Sequence, residues 1–207
     1  MDAVLETYDA RGFALWPVAE PRPAPWLPLS GALSPSEVGT ALAVLTTYNR
    51  GGRRSDGTPR NVLEQVRRLT DAECVIAPGG LRVRHTGTGI TAQPGCCFGL
   101  ENWRDWLELV DRGEPWLGHD PTPVVEHSGE TARLWSDGDR RDTPPIDIPR
   151  ALLPGLLGSV HDGLVGFLAS VGQWADRRVP SLADDLVAKL DEGLAITAPL
   201  PHPGAAA

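Results

Sequence analysis

Seven apolar residues, Leu153, Leu157, Val160, Leu164, Phe167, Val171 and Trp174, alternate four and three positions apart near the C-terminal end of the chain. That spacing lines them up on one stripe of a single long helix. A continuous stripe of this kind must be covered, so the rest of the chain has to supply a layer for it. Candidate layers are a sheet, the N-terminal helices or a second subunit, and packing within the chain is the expected use. Gly155, Gly158, Gly163, Gly166 and Gly172 punctuate the same segment. They lower helix propensity by about 1 kcal/mol each and let another backbone come close.

The upstream elements follow from local signals. Ser34-Pro35-Ser36-Glu37 reads as an N-cap, a Pro in the first turn and a closing Glu, which together form a capping box. Val38, Ala41, Leu42, Leu45 and Tyr48 continue at helical spacing as far as Asn49-Arg50-Gly51-Gly52. A second helix is expected from Thr58-Pro59, with Val62, Leu63, Val66 and Leu69 inward. Residues 74–77 read as a short buried strand and Pro78-Gly79-Gly80 as a turn. Residues 81–85 alternate apolar and polar, as a half-buried strand does, and Thr86 to Gly89 return the chain into Ile90-Thr91-Ala92. A helix over 100–111 carries Leu100, Trp103, Leu107 and Val110, widened by Trp106 and Leu109, with Glu101, Arg104, Asp105 and Glu108 facing water. Residues 124–127 and 130–135 form a hairpin around Ser128-Gly129, and 146–148 add a last strand. Ser181 to Asp184 cap a final helix with Leu182, Leu186 and Leu190 inward and Gly193 as its terminator.

This order predicts an α+β fold: a mainly antiparallel sheet of short strands covered by helices, with a long C-terminal amphipathic helix. A doubly wound parallel fold is excluded because βαβ alternation is missing. Residues 1–33 read as a Pro-rich N-terminal arm anchored by Trp16 and Trp26: Met1 to about Trp16 hold one short helix or a loose strand, and Pro17, Pro21, Pro23, Pro25 and Pro28, followed by Pro35, favour an extended chain after it. Residues 34–178 read as the core domain, 179–197 as a C-terminal helix and 198–207 as a disordered tail.

A net charge of −8 disfavours generic attraction to phosphate backbones, so no nucleic-acid partner is expected. The local basic excess at Arg50, Arg53, Arg54 and Arg60 reads as a flexible exposed loop. Three cysteines, two of them adjacent, make a poor disulfide framework and point to a reducing cytoplasm. Asp2, Glu6 and Asp9 break any signal pattern, and no membrane association is expected.

The densest chemistry lies in Gly95-Cys96-Cys97, Gly118-His119-Asp120-Pro121 and His127. A thiol beside a helix N-terminus gains thiolate character from the helix dipole. Cys97 is then a candidate nucleophile, with His119 as base and Asp120 as its orienter. Against this stands a pair of small buried residues closing a turn. Cys96, Cys97, His119 and His127, with Cys74 or His85, are candidate metal ligands, although adjacent cysteines lack the spacing of zinc knuckles. His85 continues a strand face and is expected in the core. No cofactor signature is complete. Trp103, Trp106 and Trp116 with Glu101 and Asp105 are the candidate binding surface, acidic and Trp-bearing, for a basic protein partner.

The early helix pair, the Gly-punctuated meander, the hairpin from Val124 to Trp135 and the closing helix from Leu153 to Trp174 resemble the layout of the SUKH superfamily. The resemblance spans roughly residues 34–174. It implies a small cytoplasmic protein of the immunity or antitoxin kind, which binds and neutralises a toxin domain. The residues therefore favour a non-enzymatic protein-binding module. The alternative is a thiol-dependent enzyme or redox protein centred on Cys96 and Cys97 with His119.

Overall fold

A computed structural model describes residues 1–21, 23–49 and 61–200. The fold is α+β, built from two small antiparallel sheets and covering helices rather than from one sheet. The first sheet has the order β2-β1-β3-β4, from β1 (Asp2–Glu6), β2 (Trp26–Pro28), β3 (Gly79–Arg84) and β4 (Thr91–Ala92). The second is a meander of β5 (Val124–Ser128), β6 (Thr131–Trp135) and β7 (Ile146–Pro149). Its hairpin turns at Gly129-Glu130, one residue later than expected, because Ser128 pairs with Thr131.

The Pro-rich arm is a correction. Residues 1–33 do not lie over a finished domain; they supply two strands of the first sheet, and β1 is internal. Ala3, Val4 and Leu5 are consecutive and all buried, so β1 is covered on both faces. β2 is an edge strand, where Pro28 removes no ladder bond that the sheet needs. Trp16 is an anchor as expected: it is buried, donates to the Gly39 carbonyl at 2.7 Å and meets Trp174 edge-on.

α1 (Pro35–Tyr48) starts at the predicted capping box, with Ser34 and Glu37 bonding reciprocally. Tyr48 leaves the inner stripe and is exposed. α2 (Val62–Thr70) is capped by Asn61, and Leu63 faces outward while Val66 and Leu69 are buried. The Thr58-Pro59 start and the arginine loop lie outside the described residues.

Residues 74–77 form no strand, although Val75 and Ala77 are buried. Side chains hold this backbone instead. Asn49 brackets Ile76 by donating to its carbonyl and accepting from its N–H, and the Glu101 carboxylate accepts from the Ala77 N–H. Gly79 and Gly80 begin β3 instead of making a turn. A Cβ on Gly79 would lie 2.1 Å from the Val4 carbonyl oxygen, so only glycine lets β3 pair with β1 at this register.

Leu100–Asp111 is helical but follows the 3-10 pattern. Its buried residues are Leu100, Trp103, Trp106 and Leu109, spaced strictly by three, which is the 3-10 period. Leu107 and Val110, expected on the stripe, are only partly buried.

α3 (Leu153–Arg178) buries all seven residues of the predicted seam. It packs on α1, β1, the 3-10 helix and α4 (Ala183–Leu194). By length and composition Arg150–Arg178 matches a membrane span, with a mean hydropathy of 1.4 over its most apolar window. Here its apolar stripe is the centre of the protein core. α4 ends at Leu194 with Ala195 in the left-handed conformation; Gly193 packs on Val75 instead of terminating the helix. The Arg104 guanidinium donates to the carbonyls of Ala195, Ala198 and Pro199. The start of the expected disordered tail is therefore tied down, and residues 201–207 lie outside the described ones.

Candidate functional site

Two loops cross at one end of the first sheet. Gly95 donates to the Leu117 carbonyl, and Cys96 and His119 exchange both backbone hydrogen bonds. The crossing needs glycine on both sides. A Cβ on Gly95 would lie 2.7 Å from the Gly118 and His119 backbone, and one on Gly118 equally close to Gly95 and Cys96. The result places Cys96, Cys97, His119 and Asp120 together at the surface.

Both thiols are exposed, so the picture of two buried residues closing a turn is overturned. Their sulfurs lie 3.2 Å apart. His119 Nδ1 sits 3.2 Å from an Asp120 carboxylate oxygen, so Asp120 does reach its neighbour's imidazole. The Cys96 thiol is pushed up from its ordinary pKa, first by its hydrogen bond with Cys97, then by slight burial and by the charges of Cys97, Glu6 and Asp120. This surrounding negative charge opposes a resting thiolate at Cys96 and favours a positive group in its place.

The remaining candidates separate. His127 donates from Nε2 to the Gly113 carbonyl, 2.9 Å away, and does not join the thiols. His85 is exposed in the turn after β3, bonded to Thr88, rather than in the core. Cys74 is exposed in the 71–78 connection. Trp103 and Trp106 are fully buried, which removes them from any binding surface. The Trp103 indole donates to the Leu194 carbonyl at 2.8 Å. Trp116 remains at the surface, 57% exposed, with its ring edge-on to Phe98 and beside His119. Asp105 faces water as expected. Glu101 does not: it is half-buried, and burial pushes its pKa up against the lowering effect of the Ala77 N–H.

The thiol pair lines one part of an open cleft of about 440 Å³. Tyr8, Trp26, Tyr48 and Ile76 supply its apolar walls, and Glu6, Glu101 and Asp120 supply carboxylates. No basic side chain lines it among the described residues. Sequence reasoning missed Glu6, Tyr8, Tyr48 and Ile76, which come from three separate segments. The one local signal was Tyr48, a polar-tipped aromatic at the last position of an otherwise aliphatic stripe. No family model, curated protein or solved structure matches this chain.

Proposed function

We propose that this chain is a non-enzymatic binding module whose cleft receives a basic segment of another protein. The observation that carries this reading is the cleft's lining: three carboxylates among aromatic walls, with no described basic side chain. Aromatic faces hold the alkyl stems and guanidinium planes of Lys and Arg, while carboxylates meet their charged ends. The net charge of −8 steers such a partner inward. The same lining repels a phosphate backbone, which speaks against a nucleic-acid partner. Free exposed thiols suit a reducing cytoplasm. The SUKH resemblance points to the same kind of activity, neutralising a partner by binding it, and rests on the order of elements alone. With Trp103 and Trp106 buried, the binding face is moved from the helix over 100–111 to the cleft beside it.

The second reading, a thiol-dependent enzyme, is favoured by the exposure of Cys97 next to His119 and Asp120. The upward shift of its neighbour Cys96 weighs against it.

Fluorescence anisotropy of a labelled Lys- and Arg-rich peptide tests the proposal. Binding should weaken with salt and fall by at least about tenfold in a Glu101→Arg/Asp120→Arg variant. Equal binding by that variant, or no binding by the wild type at low salt, contradicts it.

A further inference from the structure

Consecutive residues of an extended chain send their side chains to opposite sides. Cys96 and Cys97 do not: their sulfurs are 3.2 Å apart, and the two sulfurs and a His119 ring nitrogen all lie within 4.8 Å of one another. The break in alternation falls at Cys97, whose φ is 64°. Among the described residues, four that are not glycine have positive φ: Cys97, Arg112, Asp120 and Ala195. Arg112 and Ala195 end helices, where the left-handed conformation is ordinary. Cys97 and Asp120 end none. Such backbone strain is kept where the surroundings over-determine it, and functional sites are where it collects. Here both strained residues belong to one cluster, and the Gly95–Gly118 crossing fixes it from beneath.

We propose that Cys96, Cys97 and His119 form a binding site for a thiophilic divalent cation, Zn²⁺, with its fourth coordination position open to the cleft. Zinc accepts two thiolates and an imidazole, with bonds of about 2.3 Å to sulfur and about 2.0 Å to nitrogen. Ligand atoms at those distances lie roughly 3.5 Å apart around a tetrahedral ion, close to the separations in this cluster. Asp120 engages His119 Nδ1, which leaves Nε2 for the metal in the carboxylate–histidine–metal arrangement that orients such ligands. Glu6 and Asp120, whose charges reach Cys96, also favour a cation there. Binding makes two S–Zn bonds and one N–Zn bond. Each thiol gives up its proton to solvent, and no oxidant or reductant is involved.

The test uses the full chain, reduced and metal-free, titrated with Zn²⁺ against a chromophoric chelator, with Co²⁺ as a spectroscopic stand-in. One zinc per chain is expected, with sulfur-to-cobalt charge transfer in the Co²⁺ form. Asp120→Asn should weaken binding about 10- to 100-fold. Cys96→Ser, Cys97→Ser and His119→Ala should each weaken it further than that. Cys74→Ser and His85→Gln should leave it unchanged. All these side chains are exposed, and circular dichroism verifies that each variant is folded. Substoichiometric zinc in the wild type, unchanged binding in a Cys96→Ser/Cys97→Ser variant, or an equal loss in Cys74→Ser would overturn the proposal.

Discussion

Individual side chains do work here that no local pattern encodes. Trp103, read both as part of a helical stripe and as a candidate binding residue, is fully buried, and its indole holds the Leu194 carbonyl at the end of α4, which the stripe did not foretell. Its neighbour Arg104 reads as a solvated charge and instead collects three carbonyls beyond the same helix end. A cation at a helix C-terminus opposes the negative end of the dipole, so the pair locks α4 from below. Replacing Trp103 by Phe keeps most of the apolar area and leaves the Leu194 carbonyl without that donor. Urea unfolding should show a loss of about 1–3 kcal/mol for Trp103→Phe and about 3–5 kcal/mol for Trp103→Ala. An unchanged midpoint in Trp103→Phe would mean that the indole bond adds nothing.

Elements were legible where a single period ran unbroken. The α3 seam and the α1 capping box are found where the spacing put them, because burial on one stripe and a local cap are both written in neighbouring residues. The helix over 100–111 was legible as helical but not as 3-10, although Leu100, Trp103, Trp106 and Leu109 repeat every three residues. Reading the stripe at 3.6 residues per turn put Leu107 and Val110 at its centre and Trp106 and Leu109 at its margin, the reverse of their burial. Residues 74–77 look like a strand because they are apolar, but Asn49 and Glu101 satisfy their backbone from distant segments. β2 was hidden by proline density, which an edge strand tolerates. The cleft was the least legible part, since its walls are assembled by this topology from separate elements. Within α3, the glycines divide by what lies beside them. A Cβ on Gly155 meets nothing within 4 Å, whereas one on Gly166 would lie 2.8 Å from the Gly31 nitrogen. Thermal melts should therefore show Gly155→Ala stabilised by about 0.5–1 kcal/mol and Gly166→Ala destabilised by about 1–3 kcal/mol. The same sign for both would contradict the close contact between α3 and the segment leading into α1.

At the scale of the whole molecule, the fold holds carboxylates whose pKa values move in opposite directions. Asp147 is held below its ordinary pKa by its hydrogen bond to Arg133 and by that residue's charge. Its contribution to stability is present above the unfolded pKa and fades as pH falls through the lower folded value. Glu101 is the reverse case. Burial raises it above 4.5, so the folded state resists its ionisation, and stability falls as pH rises from the unfolded value through the folded one. Glu101→Gln keeps an acceptor for the Ala77 N–H and removes that ionisation. Its melting temperature should exceed that of the wild type at neutral pH and match it below the ordinary carboxylate range. A constant offset at every pH would show that burial of the charge is not the cause. The strained charge sits in the cleft's wall, so the group that lowers stability is also one that a cationic partner would relieve.

The most direct test of the account is the location of binding on the folded chain. Backbone NMR shifts recorded while a Lys- and Arg-rich peptide is titrated in should move first around Tyr8, Trp26, Tyr48, Ile76, Glu101 and Asp120, and should revert as salt is added. Shifts centred on the β5-β6-β7 sheet or on the outer face of α4, with the cleft residues unmoved, would contradict it.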